Sequence, residues 1–149
     1  MDVSGTIEAI LGQKGREIFS VSPDATVFEA VEQMANKNVG ALLVVENDQL
    51  VGMISERDYT RKVMLRGKRS RETQVREIMS SELTVISPRE PVENCLRMMT
   101  DKRIRHLPVV EGETLRGVIS IGDLVKWVIA SQSAAIAHLE SYISGGYSG

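Results

Sequence analysis

Residues 52–58 read GMISERD, and residues 117–123 read GVISIGD. Each stretch follows a short run rich in β-branched residues and precedes a segment with helical periodicity, which is typical of a strand that leads into a helix. Ser followed three residues later by an acid is a helix-capping pattern: the hydroxyl accepts a backbone N–H and the acid reaches back. Asp58 and Asp123 are shorter than the Glu or Gln that closes this box well, so we expect them to cap poorly. The motif therefore predicts either two helix starts or two halves of one binding site.

The chain is internally duplicated. A shift of 65 residues places residues 20–63 on residues 85–128 without a gap, and fifteen of the forty-four aligned positions are identical. Besides the opening motif, the identical positions include the Ser-Pro pairs at 22–23 and 87–88 and the Val-Val-Glu runs at 44–46 and 109–111. Two copies indicate a pseudo-two-fold pair rather than a solenoid, which needs about three repeats.

Each copy predicts the same order of elements, β-α-β-β-α. In the first copy IFSV (18–21) is a short strand, residues 25–38 carry apolar residues at helical spacing, and two strands flank a turn before a helix that begins at Ser55. The second copy repeats this order from LTVI (83–86) onward. Outside the copies, TIEAILGQKG (6–15) predicts a leading helix and VREIMSSE (75–82) a linker.

Alternating strands and helices indicate the α/β class. Because neither copy alone buries enough apolar surface, we expect the two β-α-β-β-α units to pack sheet to sheet with pseudo-two-fold symmetry. The predicted division assigns residues 1–72 to the leading helix and first repeat, 73–130 to the second repeat, and 131–149 to a C-terminal helix extension and tail.

The composition is that of an ordinary globular chain, with 149 residues, 42% hydrophobic residues, 26% charged residues and a net charge of −2. The net charge argues against general nucleic-acid binding, although the basic run at 61–71 could be a local anion-attracting surface or a solvated helix end. The single cysteine, Cys95, lies on a helix-like segment and is interpreted as a small buried apolar residue, so a disulfide framework is excluded. No apolar run reaches 18 residues and no secretory signal is present, so we expect a cytoplasmic protein with no membrane partner.

The two motifs suit a compound that combines a phosphate with a sugar. A helix N-terminus collects unpaired N–H groups and partial positive charge, which favour phosphate. The Asp carboxylate accepts hydrogen bonds from two neighbouring hydroxyls, as a ribose offers, and bonds to a charged group contribute about 1.5 to 3 kcal/mol each. Gly52 and Gly117, three residues before each Ser, can let another group approach the backbone closely.

A cluster of cations for the phosphate precedes a strand in the second copy and has no counterpart at the matching positions of the first. Arg103, Arg105 and His106 lie just before a predicted strand, and an Arg fork suits phosphate geometry. The matching positions of the first copy are Asn38, Gly40 and Ala41, which carry no charge. The two halves are therefore chemically unequal.

The sequence offers little for an enzyme. It has no Walker phosphate loop, no Rossmann glycine fingerprint and no nucleophile elbow, and it lacks the Cys pair or His-x-x-x-His of a metal site. We therefore expect no catalysis and no metal. Two alternatives stay open: a structural dimerisation module whose Ser-x-x-Asp pairs merely cap helices, and a nucleic-acid binder that uses the 61–71 run, which lacks interleaved aromatic residues.

The duplicated unit, with VGALLVVE, IRHLPVVE and Gly-x-Ile-Ser-x-x-Asp at the start of the last helix, resembles a tandem pair of CBS domains, the Bateman module. SERDYTRKV and RIRHLPV also resemble stand-alone bacterial CBS-pair proteins assigned to signal transduction. The resemblance implies an adenine-nucleotide sensor that holds AMP between the repeats, and a second site for NAD(H), ADP or ATP. It further implies that no cofactor is required, that the protein is a homodimer, and that its output acts through an unidentified effector protein.

The resemblance also implies which residues bind the nucleotide. The ribose hydroxyls would be held by Asp58 and Asp123, with Ser55 and Ser120 near the phosphate or ribose. The phosphate would meet Arg57, Arg103, Arg105 and His106. The base would be read by backbone groups at Val21, Ile86, Val39, Gly40 and Ala41.

Overall fold

A computed structural model of the chain describes residues 4–15 and 17–143. In these ranges the helices are α1 (Ile7–Lys14), α2 (Val27–Lys37), α3 (Glu56–Tyr59), α4 (Val75–Ile78), α5 (Val92–Lys102) and α6 (Ile121–Ile143), with a π-helical segment (Thr60–Met64) directly after α3. The strands are β1 (Ser20–Val21), β2 (Ala41–Glu46), β3 (Gln49–Ser55), β4 (His106–Glu111) and β5 (Thr114–Ser120). The predicted α/β class, the leading helix and the β-β-α order of both copies are confirmed.

The chain divides into two compact units. Unit 1 comprises residues 4–15, 87–107 and 119–143, and unit 2 comprises residues 17–86 and 108–118. One sheet has the order β1-β2-β3, with β1 parallel and β3 antiparallel to β2, and the other pairs β4 with β5. The predicted tail at 144–149 lies outside the described residues. Within the described ranges, no helix is both long enough and apolar enough to cross a membrane.

The first strand of the second copy is reduced to a single bridge between Ile86 and Val109. In the first copy the Leu43 N–H donates to the Phe19 carbonyl at 3.3 Å and extends the pairing of β1 with β2. The position equivalent to Leu43 is Pro108, which has no N–H to donate. The prediction of a full strand at 83–86 was therefore wrong in extent, and the proline in the sequence was the signal.

Strand β2 is buried on both faces, which explains its continuous apolar run. Leu42 and Val44 pack with the apolar stripe of α2, whereas Ala41 and Leu43 pack on the opposite face with Met53. The stripe of α2 consists of Val27, Ala30 and Met34, at the three- and four-residue spacing of a helix face. Each fully buried Leu contributes about 1.5 to 3 kcal/mol, so this double-sided layer holds unit 2 together.

The helix α5 of unit 1 buries Val92, Cys95 and Met99 in the same way. Burial raises the pKa of the Cys95 thiol to about 12, so it stays protonated at neutral pH. Its position agrees with the interpretation of Cys95 as a small apolar residue.

The segment predicted as a linker, residues 75–82, begins with the helical turn α4 and continues as an addition to the first sheet. Ser80 and Met53 exchange two backbone hydrogen bonds of 2.9 and 3.0 Å. A Cβ atom on Gly52 would lie 2.7 Å from the Met79 Sδ and 2.9 Å from the Ser80 carbonyl oxygen. The close approach that Gly52 permits is therefore that of the chain itself, not of a ligand.

We predict that Gly52→Ala destabilises the protein by about 1 to 3 kcal/mol, because the new methyl group overlaps a backbone carbonyl that cannot move freely. Urea denaturation followed by circular dichroism measures the change. The matched control is Gly12→Ala in α1, where nothing lies within 4 Å of the added Cβ. That control should stabilise by about 0.5 to 1 kcal/mol through helix propensity, and equal effects of the two substitutions would contradict the packing argument.

Candidate functional site

The junction of β5 with α6 is closed by reciprocal hydrogen bonds. The Ser120 N–H donates to the Asp123 Oδ2 at 2.8 Å, and the Asp123 N–H donates to the Ser120 Oγ at 3.1 Å. The first helical N–H, that of Ile121, donates to the Arg105 carbonyl at 2.8 Å. The backbone N–H groups of Ile121 and Asp123 at the start of α6 therefore have acceptors, as the unpaired N–H groups of a helix end require.

The junction of β3 with α3 has the same geometry. The Ser55 N–H donates to the Asp58 Oδ2 at 2.9 Å, the Asp58 N–H donates to the Ser55 Oγ at 3.2 Å, and the Glu56 N–H donates to the Gly40 carbonyl at 3.0 Å. Our expectation that these aspartates cap poorly was wrong. Ser55 has an extended backbone, with φ −124° and ψ 165°, and in this geometry the shorter Asp side chain still reaches the serine N–H.

The two carboxylates differ in what remains available for a ligand. Both oxygens of Asp58 are engaged, because the Lys62 Nζ lies 3.1 Å from Oδ1 while Ser55 holds Oδ2. On Asp123 the Ser120 N–H and the Lys14 Nζ, at 2.7 Å, both contact Oδ2, and the Ser120 side chain hydrogen-bonds the same carboxylate. The Asp123 side chain is 22% exposed, against 14% for the Asp58 side chain. Asp123 is the better-placed acceptor.

Lys14 is a residue of this site that the sequence did not predict. It ends α1, and α1 is held in unit 1 by the Ile7 N–H, which donates to the Glu90 carbonyl, and by the Trp127 Nε1–H, which donates to the Ser4 carbonyl. Lys14 and Asp123 are 109 residues apart in the chain. No local spacing links them, so sequence patterns carry no signal for this ion pair.

Burial and Lys14 together shift the pKa values of Asp123 and His106. Burial alone would raise the pKa of Asp123, but hydrogen bonds from Lys14 and Ser120 outweigh it and hold this pKa below its usual value. Burial, followed by the positive charge of Lys14, lowers the pKa of His106. At pH 7 the corner therefore holds an ionised carboxylate and a neutral imidazole.

The predicted phosphate-binding arginines, Arg57, Arg103 and Arg105, are all exposed. Arg103 and Arg105 lie in unit 1 with His106, and Arg57 lies on α3 of unit 2. Arg103 ends α5 in the left-handed conformation with φ 55°, as its counterpart Asn38 ends α2. The left-handed conformation strains an Arg more than an Asn. Arg103 therefore lowers the stability of this helix end relative to Asn at the same position.

The backbone positions predicted to read the base already take part in sheet or helix hydrogen bonds. The Ile86 N–H and carbonyl bond to Pro108 and Val110 of β4, and the Gly40 carbonyl accepts from Glu56. Val21 pairs with Val44, and the Val39 N–H closes the end of α2 on Met34. Ala41 is buried and pairs with Ser55. Base recognition by these groups stays a prediction.

We predict that Lys14→Met raises the pKa of both Asp123 and His106, because one positive charge lowers both. An NMR titration of the carboxylate and imidazole resonances measures the two values. Lys68→Met removes an exposed lysine from unit 2 and is the matched control, which should leave both values unchanged.

We predict that Lys14→Met also changes how the stability of the protein depends on pH. Because the pKa of Asp123 is lower in the folded protein than in the unfolded chain, its contribution is present above about pH 4 and is lost as the pH falls through the folded value. The stability difference between the wild type and Lys14→Met should therefore be largest above about pH 7, where Asp123 is ionised and His106 is neutral, and should shrink as the pH falls through the folded pKa values of the two groups. A difference that is independent of pH would show that Lys14 acts by packing alone.

We predict that Arg103→Asn stabilises the fold by about 0.5 to 1 kcal/mol, because Asn tolerates the left-handed conformation better than Arg. Differential scanning calorimetry should show a midpoint about 1 to 4 °C higher. Lys102→Asn, one residue earlier and inside α5, is the control and should lower stability slightly. A lower midpoint for Arg103→Asn would mean that the arginine makes contacts that outweigh the strain.

Residues 15–65 and 75–130 each match the family model of the CBS domain. The chain belongs to the CBS-domain family. The mitochondrial CBS domain-containing protein CBSX3 of Arabidopsis thaliana is 39% identical over 153 aligned positions, which cover 97% of this chain and 74% of the plant protein. The CBS domain-containing protein YhcV of Bacillus subtilis is 36% identical, with 81% of this chain and 86% of YhcV covered.

Solved structures agree with this membership. A CBS-domain protein of Burkholderia ambifaria, named for a role in signal transduction, is 45% identical with a TM-score of 0.83, and the match covers 86% of this chain and 96% of that one. The CBS domain pair of protein MJ0100 shares the fold, with a TM-score of 0.76 at 20% identity and coverage of 86% and 98%. That structure is a complex with 5′-methylthioadenosine and S-adenosyl-L-methionine. The predicted tandem CBS pair is therefore confirmed.

Proposed function

We propose that this CBS pair is a regulatory module that binds an adenine nucleotide of the AMP type at the corner of Ser120 and Asp123. The observation that carries the proposal is the state of Asp123: its pKa is lowered, Ser120 and Lys14 hold it in place, and its side chain is 22% exposed, more than the 14% of Asp58. A carboxylate fixed in this way accepts hydrogen bonds from a ribose diol without first losing conformational freedom.

The surroundings of Asp123 suit the rest of a nucleotide. Lys14 and His106 lie near the carboxylate in unit 1, Arg105 lies near His106, and Arg103 ends the helix that precedes this segment. Guanidinium and ammonium groups bind phosphate by charge-assisted hydrogen bonds. The adenosine moieties bound by protein MJ0100 support the choice of adenine, since that protein has the same fold.

For the Ser55–Asp58 corner we propose a weaker or differently shaped ligand, such as NAD(H), ADP or ATP. Lys62 bonds the Asp58 Oδ1 and also the Ile78 carbonyl at 2.9 Å, so a ribose would have to displace an internal ion pair. Arg57 is the cation next to Asp58 on α3, whereas the positions that match the second copy's basic residues carry none.

We propose that the protein regulates rather than catalyses, in the cytoplasm, without a required cofactor and through an effector protein yet to be identified. No group of three or more His, Cys, Asp or Glu side chains in the described parts of the chain could hold a metal ion. A nucleotide that binds one conformation better than another shifts their populations by its difference in affinity, which is sufficient for a signal.

A test of the proposed ribose contact compares AMP with 2′-deoxy-AMP and 3′-deoxy-AMP by isothermal titration calorimetry. A hydrogen bond to a carboxylate contributes about 1.5 to 3 kcal/mol, so the wild type should bind each deoxynucleotide about 10-fold to 150-fold more weakly. Asp123→Asn should bind AMP more weakly and lose most of this discrimination. Asp58→Asn changes the equivalent residue in the other copy and should keep it.

Equal binding of AMP and its deoxy forms by the wild type would contradict the ribose assignment. The reciprocal capping of both motifs favours a second candidate, a structural module without a ligand. A thermal-shift panel decides between the two, since a ligand at 100 times its dissociation constant stabilises the protein by about 2.7 kcal/mol. If no adenine nucleotide raises the melting temperature, the structural module is the correct function.

A further inference from the structure

The turn after the π-helical segment exposes two adjacent apolar side chains. Met64, the last residue of that segment, is 61% exposed, and Leu65 is 72% exposed. They are the two most exposed large apolar side chains in the described parts of the chain. Val63, directly before them, is buried in the core of unit 2. Adjacent apolar side chains that leave the core in this way, inside a polar rim, are typical of a contact site.

Positive charges surround this pair in the sequence. Residues 61–71 contain six Lys or Arg residues and no Asp or Glu. The net charge of the whole chain is −2, so the six positive charges leave −8 on the remaining residues. Arg61, Arg66 and Lys68 are exposed and form no ion pair with any residue in 4–15 or 17–143. The run is therefore a local source of positive potential that attracts anions.

Backbone hydrogen bonds hold the turn in one conformation. The Leu65 N–H donates to the Thr60 carbonyl at 3.0 Å and closes the π-helical segment, and the Lys68 N–H donates to the Val63 carbonyl at 3.0 Å. Gly67, with φ 68°, reverses the chain between them, in a conformation that glycine adopts without strain. Because the backbone is already ordered, a partner that binds here loses little affinity to ordering of the turn.

We propose that residues 61–68, the basic turn, dock an acidic segment of the effector protein that carries apolar side chains between its carboxylates. The apolar side chains of that segment cover Met64 and Leu65, and its carboxylates bind the surrounding cations. Arginine suits this partner in particular, because the guanidinium fork binds a carboxylate through two parallel hydrogen bonds. The partner's role as the effector rests on the proposed regulatory function, whereas its acidic chemistry rests on the basic turn alone.

A nucleic acid matches the cations but not the apolar pair. Its phosphates would bind Arg and Lys, yet Met64 and Leu65 offer no ring on which a base can stack. The Phe28 ring contacts the 61–71 run, but the Arg71 Cζ lies 3.7 Å from its centroid and covers that face. The exposed apolar pair therefore favours a protein.

A bilayer and a second copy of the chain are also poorer matches. Two side chains bury less hydrocarbon in a membrane than a single myristoyl chain, which alone gives only marginal binding. In a two-fold pair the basic turn would meet itself across the axis, and the like charges would repel. An acidic, partly apolar protein segment is the occupant that satisfies both features of the surface.

A random peptide library displayed on phage tests the chemistry of the occupant. The intact chain is the bait, and clones that also bind the double variant Met64→Ser, Leu65→Ser are removed. We expect the remaining peptides to be enriched in Asp and Glu by about 3-fold or more over the library, with Leu, Ile, Met or Phe between the acids. Peptides without this enrichment, or basic peptides, would overturn the proposal.

Fluorescence anisotropy of one selected peptide measures the two parts of the surface separately. Leu65→Ser should weaken binding about 10-fold because it removes an apolar contact, and Arg66→Gln about 3-fold to 10-fold at low salt because it removes a charge. The matched controls are Val85→Ser, at another half-exposed apolar side chain of unit 2, and Arg89→Gln, at an exposed cation outside the run. If each control weakens binding as much as its counterpart, the docking surface is wrong.

The other occupants are tested in the same assay, with a DNA duplex or with vesicles of phosphatidylcholine and phosphatidylserine in place of the peptide. Tighter binding of either one, lost in Leu65→Ser, would show that the occupant is not a protein. The thermal-shift panel with adenine nucleotides keeps this proposal separate from the nucleotide site. A chain that binds the peptide and no nucleotide has the docking surface alone, and a chain that binds AMP but selects no acidic peptide lacks it.

Discussion

The hydrogen bonds that join the last strand of each copy directly to a helix are the constraint on which the rest of the structure depends. Neither junction has a connecting residue, so the first helical N–H groups need acceptors immediately. The hydroxyls of Ser55 and Ser120 and the carbonyls of Gly40 and Arg105 supply them. Each helix direction is therefore fixed by the residues that precede its paired strands.

The same bonds hold the two aspartates in place. Asp123 is held by Ser120 on one oxygen, and Lys14 keeps it ionised although it is mostly buried. A capping carboxylate is consequently also a preorganised acceptor. Capping engages Oδ2 of Asp123 and leaves the side chain 22% exposed, so capping does not by itself exclude the proposed ligand contact.

The two copies differ at a few positions, and these differences change local hydrogen bonds and charges. Pro108 removes one strand hydrogen bond, which leaves a bridge where the first copy has a strand. Lys62 binds the aspartate of its own helix, whereas Asp123 receives its lysine from α1. Arg103 accepts a left-handed backbone that Asn38 adopts more easily. The two halves share their architecture but differ in the residues around their Ser-x-x-Asp corners.

The sequence by itself determined the duplication, the α/β class, the order of elements and the two Ser-x-x-Asp corners, because each depends on residues a few positions apart. The sequence also shows Pro108, which has no N–H to donate to the first strand of the second copy. The tertiary structure alone decided that Lys14 lies against Asp123 and that Gly52 makes room for Met79 and Ser80 rather than for a ligand. These contacts join segments far apart in the chain, and their partners are selected by packing of whole helices and strands, which no local spacing encodes.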